Sequence, residues 1–299
     1  MTTVVYCYFN PFGSPGREKA FQEFRSALDL SDVNQLCVEQ GFRGIKRVSR
    51  SRDIFVSTGE IFWQKECLLQ IGIDEAITRG EQQIVVTDAD LRFTSPDAWI
   101  RISATFEKFD WFQPFETVSM DYLEGAICKK SALSYSNPVR YGVGHPGCAW
   151  AGTSEFFKTV RLYPFALMGG GDVVMTHLLA TSWKHGPLSE RFSDIATYIG
   201  DAVLYPDLIP SILDWSGSFG KMSFRSGHTA GVHIRTIEHG TYTSRRYHDR
   251  YALWRHSNAN GGGPKPGRDF FLNDRGLLEW RELPNIWQST VFEYFRSRA

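Results

Sequence analysis

The sequence predicts an α/β protein with a mixed, mostly parallel central sheet flanked by helices and a helical extension at its C-terminal end. Short apolar, β-prone runs alternate with segments of helical period through the first third of the chain. Clusters of Gly, Pro and Asn punctuate them. The 299 residues, 42% hydrophobic and 22% charged, suit one large domain or two small ones with ample core, and exclude wholesale disorder.

Residues 4–9, Val-Val-Tyr-Cys-Tyr-Phe, read as a buried strand that stops at the turn cluster Asn10-Pro11-Phe12-Gly13-Ser14-Pro15-Gly16. Ala20, Phe21, Phe24, Ala27 and Leu28 predict a helix over 17–28, and 33–38 a second strand. Leu68, Leu69, Ile71 and Ile73 line the inner face of a helix over 62–78 that ends at Gly80. Ile84-Val85-Val86-Thr87 is an apolar strand running straight into Asp88-Ala89-Asp90. Ser95 is the expected cap of a helix through about residue 106, with Pro96 in its first position. Further on, 111–119 and 147–151 read as strands and 173–180 as a helix behind a glycine run. A loop-rich stretch over 200–231 precedes a strand over 231–237 and a helix over 246–255. The stretch 258–267, with Gly261-Gly262-Gly263-Pro264, is the best candidate for a linker or mobile loop, and a final helix spans 285–296. There is no internal repeat.

Several function classes drop out early. No apolar run of about 18 residues exists, so no membrane span is expected. The start has neither a basic nor an apolar leader region, which predicts a cytoplasmic protein. The five cysteines are widely spaced with no Cys-x-x-Cys pair, as expected of a reducing compartment. With 33 basic and 33 acidic side chains, gross electrostatic binding of nucleic acid has no support, although a local basic patch remains open. The 22 Phe, 12 Tyr and 9 Trp are unusually many; most belong in the core, and some can serve as flat faces for a base or a sugar ring.

Three motifs can carry chemistry. Asp88-Ala89-Asp90 sits where open α/β sheets bind ligands, beyond the carboxyl end of a strand. Two carboxylates there can hold a hard divalent cation that also binds phosphate oxygens; the plain alternative is an acidic turn. In Leu167-Met168-Gly169-Gly170-Gly171-Asp172 the glycines let the backbone approach a ligand, and Asp172 heads a helix as a functional carboxylate or an ordinary cap. Glu238-His239-Gly240 follows a strand and offers an imidazole ligand, with His145, His177 and His233 as rivals. No His-x-x-x-His pair appears, which argues against a zinc hydrolase, and there is no Walker A, Gly-x-Gly-x-x-Gly or Gly-x-Ser-x-Gly motif. Two basic clusters, Arg43, Lys46, Arg47, Arg50 and Arg52, then Arg245, Arg246 and Arg250, are solvated faces or phosphate contacts.

The order Asp-x-Asp, Gly-Gly-x-Asp, late His resembles the GT-A glycosyltransferases, particularly the β-1,4-galactosyltransferase-like group. Asn10-Pro11-Phe12 with Arg17 resembles that group's Pro-Phe-Arg turn, and Cys37-Val38-Glu39-Gln40 its Val-Ile-Asn-Gln strand. Residues 62–72 resemble its Phe-Asn-Arg-Ala-Lys-Leu-Leu-Asn-Val-Gly helix, and Val86-Thr87-Asp88-Ala89-Asp90 its Phe-Ser-Asp-Val-Asp. Residues 147–151, with Phe156 and Phe157, resemble its acceptor-side strand and helix, and Gly169-Gly170-Gly171-Asp172 its Trp-Gly-Gly-Glu-Asp loop. A bacterial and phage branch shares Trp63–Glu66 (Trp-Gln-Lys-Glu), Gln113–Phe115, His239-Gly240 with Arg246 and Tyr247, and a closing Tyr294, Phe295 and Arg298. Gly171 stands where the group has Glu, its loop tryptophan is missing near Met168, and Thr236 replaces an extra metal ligand.

The resemblance implies a Rossmann-like GT-A domain over 1–257, its nucleotide-sugar half 1–120 and acceptor half 121–257, followed by a linker and helical tail over 258–299. It implies inverting transfer from a nucleotide-diphosphate sugar, expected to be a UDP-sugar, with Mn²⁺ or Mg²⁺. Asp90 and His239 would be metal ligands and Asp172 the general base. Asn10, Pro11, Arg17, Glu39, Lys65, Asp88, Gly170 and Gly171 would serve the donor. The acceptor stays open between a glycan, lipid-linked sugar, protein or hydroxymethylated DNA base. A nucleotidyltransferase with the same acidic site and a non-catalytic sugar-binding module are the alternatives.

Overall fold

The computed structural model describes residues 1–120, 127–135, 144–167, 169–181, 206–219, 222, 224–240, 263–282 and 286–298. The first apolar run becomes β1 (Thr2–Phe9), followed by α1 (Pro15–Asp29), β2 (Asn34–Gly41), β3 (Ile54–Ser57), α2 (Lys65–Thr78) and β4 (Gln83–Thr87). After β5 (Leu91–Phe93) and α3 (Ala98–Thr105) come β6 (Trp111–Gln113), β7 (Thr117–Met120), β8 (Ile127–Lys130), β9 (Ala149–Thr153) and α4 (Ser154–Thr159). The chain continues with α5 (Gly171–Thr181), a helix over Ile209–Gly217, β10 (Ser226–His228) and β11 (His233–Thr236). A hairpin of β12 (Phe270–Leu272) and β13 (Leu278–Trp280) leads to a last helix, Ile286–Arg296.

A seven-stranded sheet in the order β10-β6-β9-β4-β1-β2-β3 forms the centre. All its strands run parallel except β9, which opposes β4 and β6. The period-2 pleat of β1 explains both cores. Val4, Tyr6 and Tyr8 pack with Phe21, Phe24 and Leu28 of α1 and Ile102 of α3. Val5 faces the other way, onto Leu68, Leu69 and Ile73 of α2, in a core that also takes Val174 and Leu179 of α5 and Val291, Tyr294 and Phe295 of the last helix. With both faces covered, β1 and β4 read as continuous apolar runs. The fold is thus the mixed α/β architecture expected, and no described helix is long and apolar enough to cross a membrane. All five cysteines are free thiols.

Several local expectations need correction. Ser95 does not cap α3: its hydroxyl donates to Gly231 O (3.2 Å) and accepts from His233 N (2.9 Å), tying the helix start to β11. Residues 111–119 form two strands in different sheets, split at Pro114, which has no N–H to continue a ladder. The strand expected over 147–151 begins at Ala149, because Cys148 turns the chain at a φ of 74°. The loop-rich stretch before β11 contains the nine-residue helix Ile209–Gly217, started by Pro210 and buried through Ile212. Strand β3 and the hairpin were not legible. The expected helix over 246–255 lies outside the described residues.

The tail is anchored by a buried amide. Gln64 Nε2 donates to Leu278 O (3.2 Å) while its Oε1 accepts from Leu278 N (2.8 Å). Beside this clasp, Phe62 packs against Trp280 with centroids 4.5 Å apart.

Candidate active site

Parallel pairing puts the carboxyl ends of β1 and β4 on one edge, where their side chains and helix N-termini meet. Beyond Thr87 the β4–β9 ladder gains one rung, Asp88 N donating to Cys148 O at 2.8 Å. Cys148 is the one non-glycine residue at positive φ among those described, a strained conformation of the kind that collects at functional sites. The chain then reverses through Asp90 into β5, which pairs antiparallel with β11 so that Leu91 faces Thr236. Ile237 N donates to Asp90 O (2.6 Å), and two residues on His239 Nε2 meets Asp90 Oδ2 at 2.7 Å. Strand register therefore joins two residues 149 positions apart in sequence.

Lys65, the first residue of α2, crosses the same edge and donates through Nζ to Asp88 Oδ1 (2.9 Å). Asp172 stands in the first turn of α5, its Oδ1 accepting from Val173 N (3.0 Å). The preceding backbone is left-handed at Gly170, with φ 101°, as glycine allows. A β-carbon on Gly147 would collide with the Asp172 carboxylate, so that glycine lets the side chain reach the cleft.

These groups line one cavity of about 340 Å³. Around it stand Arg17, Lys65, Asp88, Asp90, Gly170, Asp172, Thr236 and His239, together with Cys7, Phe9, Trp63, His145, Cys148 and Arg298. Burial raises the Asp88 carboxyl; Lys65 opposes this, and Asp90 and Asp172 add to it. Burial pulls the Lys65 ammonium down, but Asp88, Asp172 and Glu66 outweigh it and hold it well above the ordinary lysine value. The Cys148 thiol is pushed well up by burial and the surrounding carboxylates, which disqualifies it as a thiolate nucleophile.

Four expected residues do not line the cavity. Asn10 is buried, its Nδ2 donating to Tyr8 Oη (2.9 Å) and Ser14 O (3.0 Å) and its Oδ1 accepting from Ser14 N (2.9 Å), so it shapes the turn that carries Pro11. Pro11 itself is absent from the cavity wall. Glu39 is also buried and accepts from Val48 N (2.9 Å) and Ser49 N (2.6 Å), fastening the loop after β2. Gly171 lies behind the wall, against Glu66. The rival His233 is satisfied on β11 by Thr117 Oγ1 (2.6 Å) and Ser119 Oγ (3.1 Å). Thr236 Oγ1 donates to Ser119 O at 3.4 Å. In the first basic cluster, Arg50 is held to Asp29 by two 2.7 Å hydrogen bonds and Arg47 lies over the Phe55 ring. Arg52 lines a separate depression with Thr3 and Asn34, at the amino ends of β1 and β2 and opposite the cavity. The second cluster lies outside the described residues.

A divalent cation fits part of this site. Ligand atoms about 2.1 Å from a metal and at right angles lie about 3 Å apart, close to the 2.7 Å between Asp90 Oδ2 and His239 Nε2. Among the described residues no group of three His, Cys, Asp or Glu side chains is arranged around one point. An ion held by this pair would need its remaining ligands from substrate or water.

No protein-family model matches the chain, and no curated protein matches it significantly. Solved structures resemble the chain weakly and at low identity. A Desulfovibrio desulfuricans protein described as a nucleotide-diphospho-sugar transferase matches at 8% identity and a TM-score of 0.37, over 86% of this chain and 95% of its own. S. aureus TarS matches at 11% and 0.40, over 74% of this chain and 44% of that one. Glucosyl-3-phosphoglycerate synthase from Mycobacterium tuberculosis, solved with Mn²⁺, UDP-glucose and phosphoglyceric acid, matches at 14% and 0.38, over 72% and 79%.

Two cavity residues, His145 and Arg298, and the enclosed Glu66 beside Lys65 stand outside the donor, metal and base roles assigned from the sequence. His145 Nδ1 accepts from Gly147 N (3.2 Å), which leaves the proton on Nε2; burial lowers its pKa to about 4, so the ring is neutral at pH 7. Glu66 is buried with no hydrogen-bond partner on either carboxylate oxygen, and a β-carbon on Gly171 would collide with it. Burial, opposed by Lys65 and reinforced by Asp172, pushes Glu66 up to about 7. Arg298 enters from the far end of the chain. In the sequence His145 stands out only as a rival imidazole, and Glu66 and Arg298 only as members of shared motifs.

Proposed function

We propose that the protein is a GT-A glycosyltransferase that moves a sugar, with inversion, from a nucleotide-diphosphate donor to an acceptor hydroxyl. One observation supports it most: Lys65, Asp88, Asp90, Asp172 and His239, brought from four separate segments, face a single cavity at the carboxyl edge of the sheet. In this reading the nucleotide lies along the end of β1 near Arg17, and the diphosphate faces Asp90 and His239. A bound Mn²⁺ or Mg²⁺ would supply charge stabilisation to the departing diphosphate. Asp90 and His239 would hold that ion, while Lys65 orients Asp88 toward the ribose side and Gly170 lets the backbone close on the sugar. Asp172 accepts the proton of the acceptor hydroxyl as its oxygen bonds to the anomeric carbon. The bond from that carbon to the diphosphate oxygen breaks on the opposite face, which inverts the centre. Asn10, Pro11, Glu39 and Gly171 act one layer back, by shaping the loops that bear these groups. A UDP-sugar donor, kinship with the galactosyltransferase-like and phage branch, and a cytoplasmic setting complete the proposal. The acceptor is a glycan or a hydroxymethylated base in DNA.

The test is a panel of UDP- and GDP-sugars with Mn²⁺, followed by binding and by donor hydrolysis. Release of nucleoside diphosphate is expected. Nucleoside monophosphate retained in the product would identify a nucleotidyltransferase instead, and binding without turnover a sugar-binding module. If no sugar nucleotide binds, the proposal is lost. A DNA acceptor further requires binding that falls steeply with salt.

A further inference from the structure

The C-terminal helix Ile286–Arg296 packs against residues of the cavity wall, and Arg298, two positions beyond it, lines the cavity. Phe295 stacks parallel on Trp63, with centroids 6.3 Å apart and an 8° tilt, and meets Phe9 edge-on at 5.4 Å. Phe292 packs edge-on against Phe12 at 5.3 Å. The helix is thereby seated over the end of β1 and the start of α2. One turn further, Arg298 N donates to Phe295 O (3.2 Å), turning the side chain back over the cavity. Its guanidinium carbon lies 5.1 Å from the Tyr294 ring and 6.0 Å from the Trp63 ring, and Nη1 donates to Tyr294 Oη at 3.0 Å.

Resting on the donor reading above, we propose that Arg298 binds the diphosphate of the nucleotide donor, with Trp63 and Tyr294 holding its guanidinium in place. The charge around the cavity argues for it. Lys65 is engaged by Asp88, and Asp88, Asp90 and Asp172 would repel a diphosphate unless cations face them. A guanidinium carries a rigid fork of donors that matches two phosphate oxygens at once, and it is weakly hydrated when laid on aromatic faces. Arg298 brings such a guanidinium to the cavity wall from the far end of the chain.

Calorimetric titration of the wild type, Arg298→Ala and Arg298→Lys with UDP, GDP, CDP and dTDP, and with the matching nucleosides, tests this in the presence of Mn²⁺. Arg298→Ala is expected to weaken the preferred diphosphate about ten- to hundredfold and to leave its nucleoside unchanged, with Arg298→Lys in between. Melting temperatures should stay close to wild type in both variants. Undiminished diphosphate affinity in Arg298→Ala overturns the assignment, as does an equal loss for nucleoside and diphosphate. A wild type that binds no nucleoside diphosphate overturns the donor reading, and Arg298 with it.

Discussion

Two ion pairs lie within one fold and do opposite things. Arg25 and Asp53 are each 3% exposed and fully enclosed. Arg25 also donates to Val48 O, and Asp53 accepts from Cys37 N and Arg50 N, so the pair locks the loop after β2 against α1. Lys65 and Asp88 are 16% and 31% exposed, face a cavity, and sit among further carboxylates that disturb both partners. A charge pair that is enclosed and tied further to backbone is architecture. A pair left with room and unmatched neighbours is where a ligand can be accommodated.

Mutation should separate the two. The largest expected effect lies beside the open pair: Asp172→Asn should cut turnover about 10²–10⁴-fold while donor affinity, read by calorimetry, stays near wild type. Next, Arg25→Met should cost about 3–5 kcal/mol in denaturant unfolding, because Asp53 is left buried without its partner. The surviving folded fraction should bind nucleotide normally. Lys65→Met should reverse that pattern, losing donor affinity with the smaller stability loss. Glu66→Gln sharpens the contrast through pH. Since the folded carboxyl is raised from its ordinary 4.5 to about 7, Glu66's contribution to stability is fully present below pH 4.5 and is lost as pH rises through 7. The glutamine variant should lack that loss and, at pH 8, be more stable than wild type by up to about 3 kcal/mol. Smallest of all, Arg50→Ala should change stability by less than about 1 kcal/mol, since its pair with Asp29 is half exposed.

Legibility followed locality. Strands β1, β2 and β4 and helices α1, α2 and α5 were readable because apolar period and turn residues lie within each segment. Asp88 and Asp90 stood out because a strand ran into them. What could not be read was tertiary in origin. Ser95 has good capping chemistry, but the edge of β11 captures its hydroxyl. Asn10 and Glu39 are polar residues at a strand's carboxyl end, as donor contacts should be, yet nearby backbone N–H groups consume their side chains. The contact between Asp90 and His239 depends on a β5–β11 register that no local pattern encodes. Glu66 was legible only as part of the shared Trp-Gln-Lys-Glu motif, and the packing of Gly171 against it shows it enclosed.

The Gln64–Leu278 clasp bears on how short the polypeptide can be made. Removing everything after residue 262 would uncover the Phe62 ring and strand a primary amide in an apolar hollow, with both of its partners gone. Such a shortened chain should be sticky and poorly soluble, even though the strands carrying the acidic residues would be untouched.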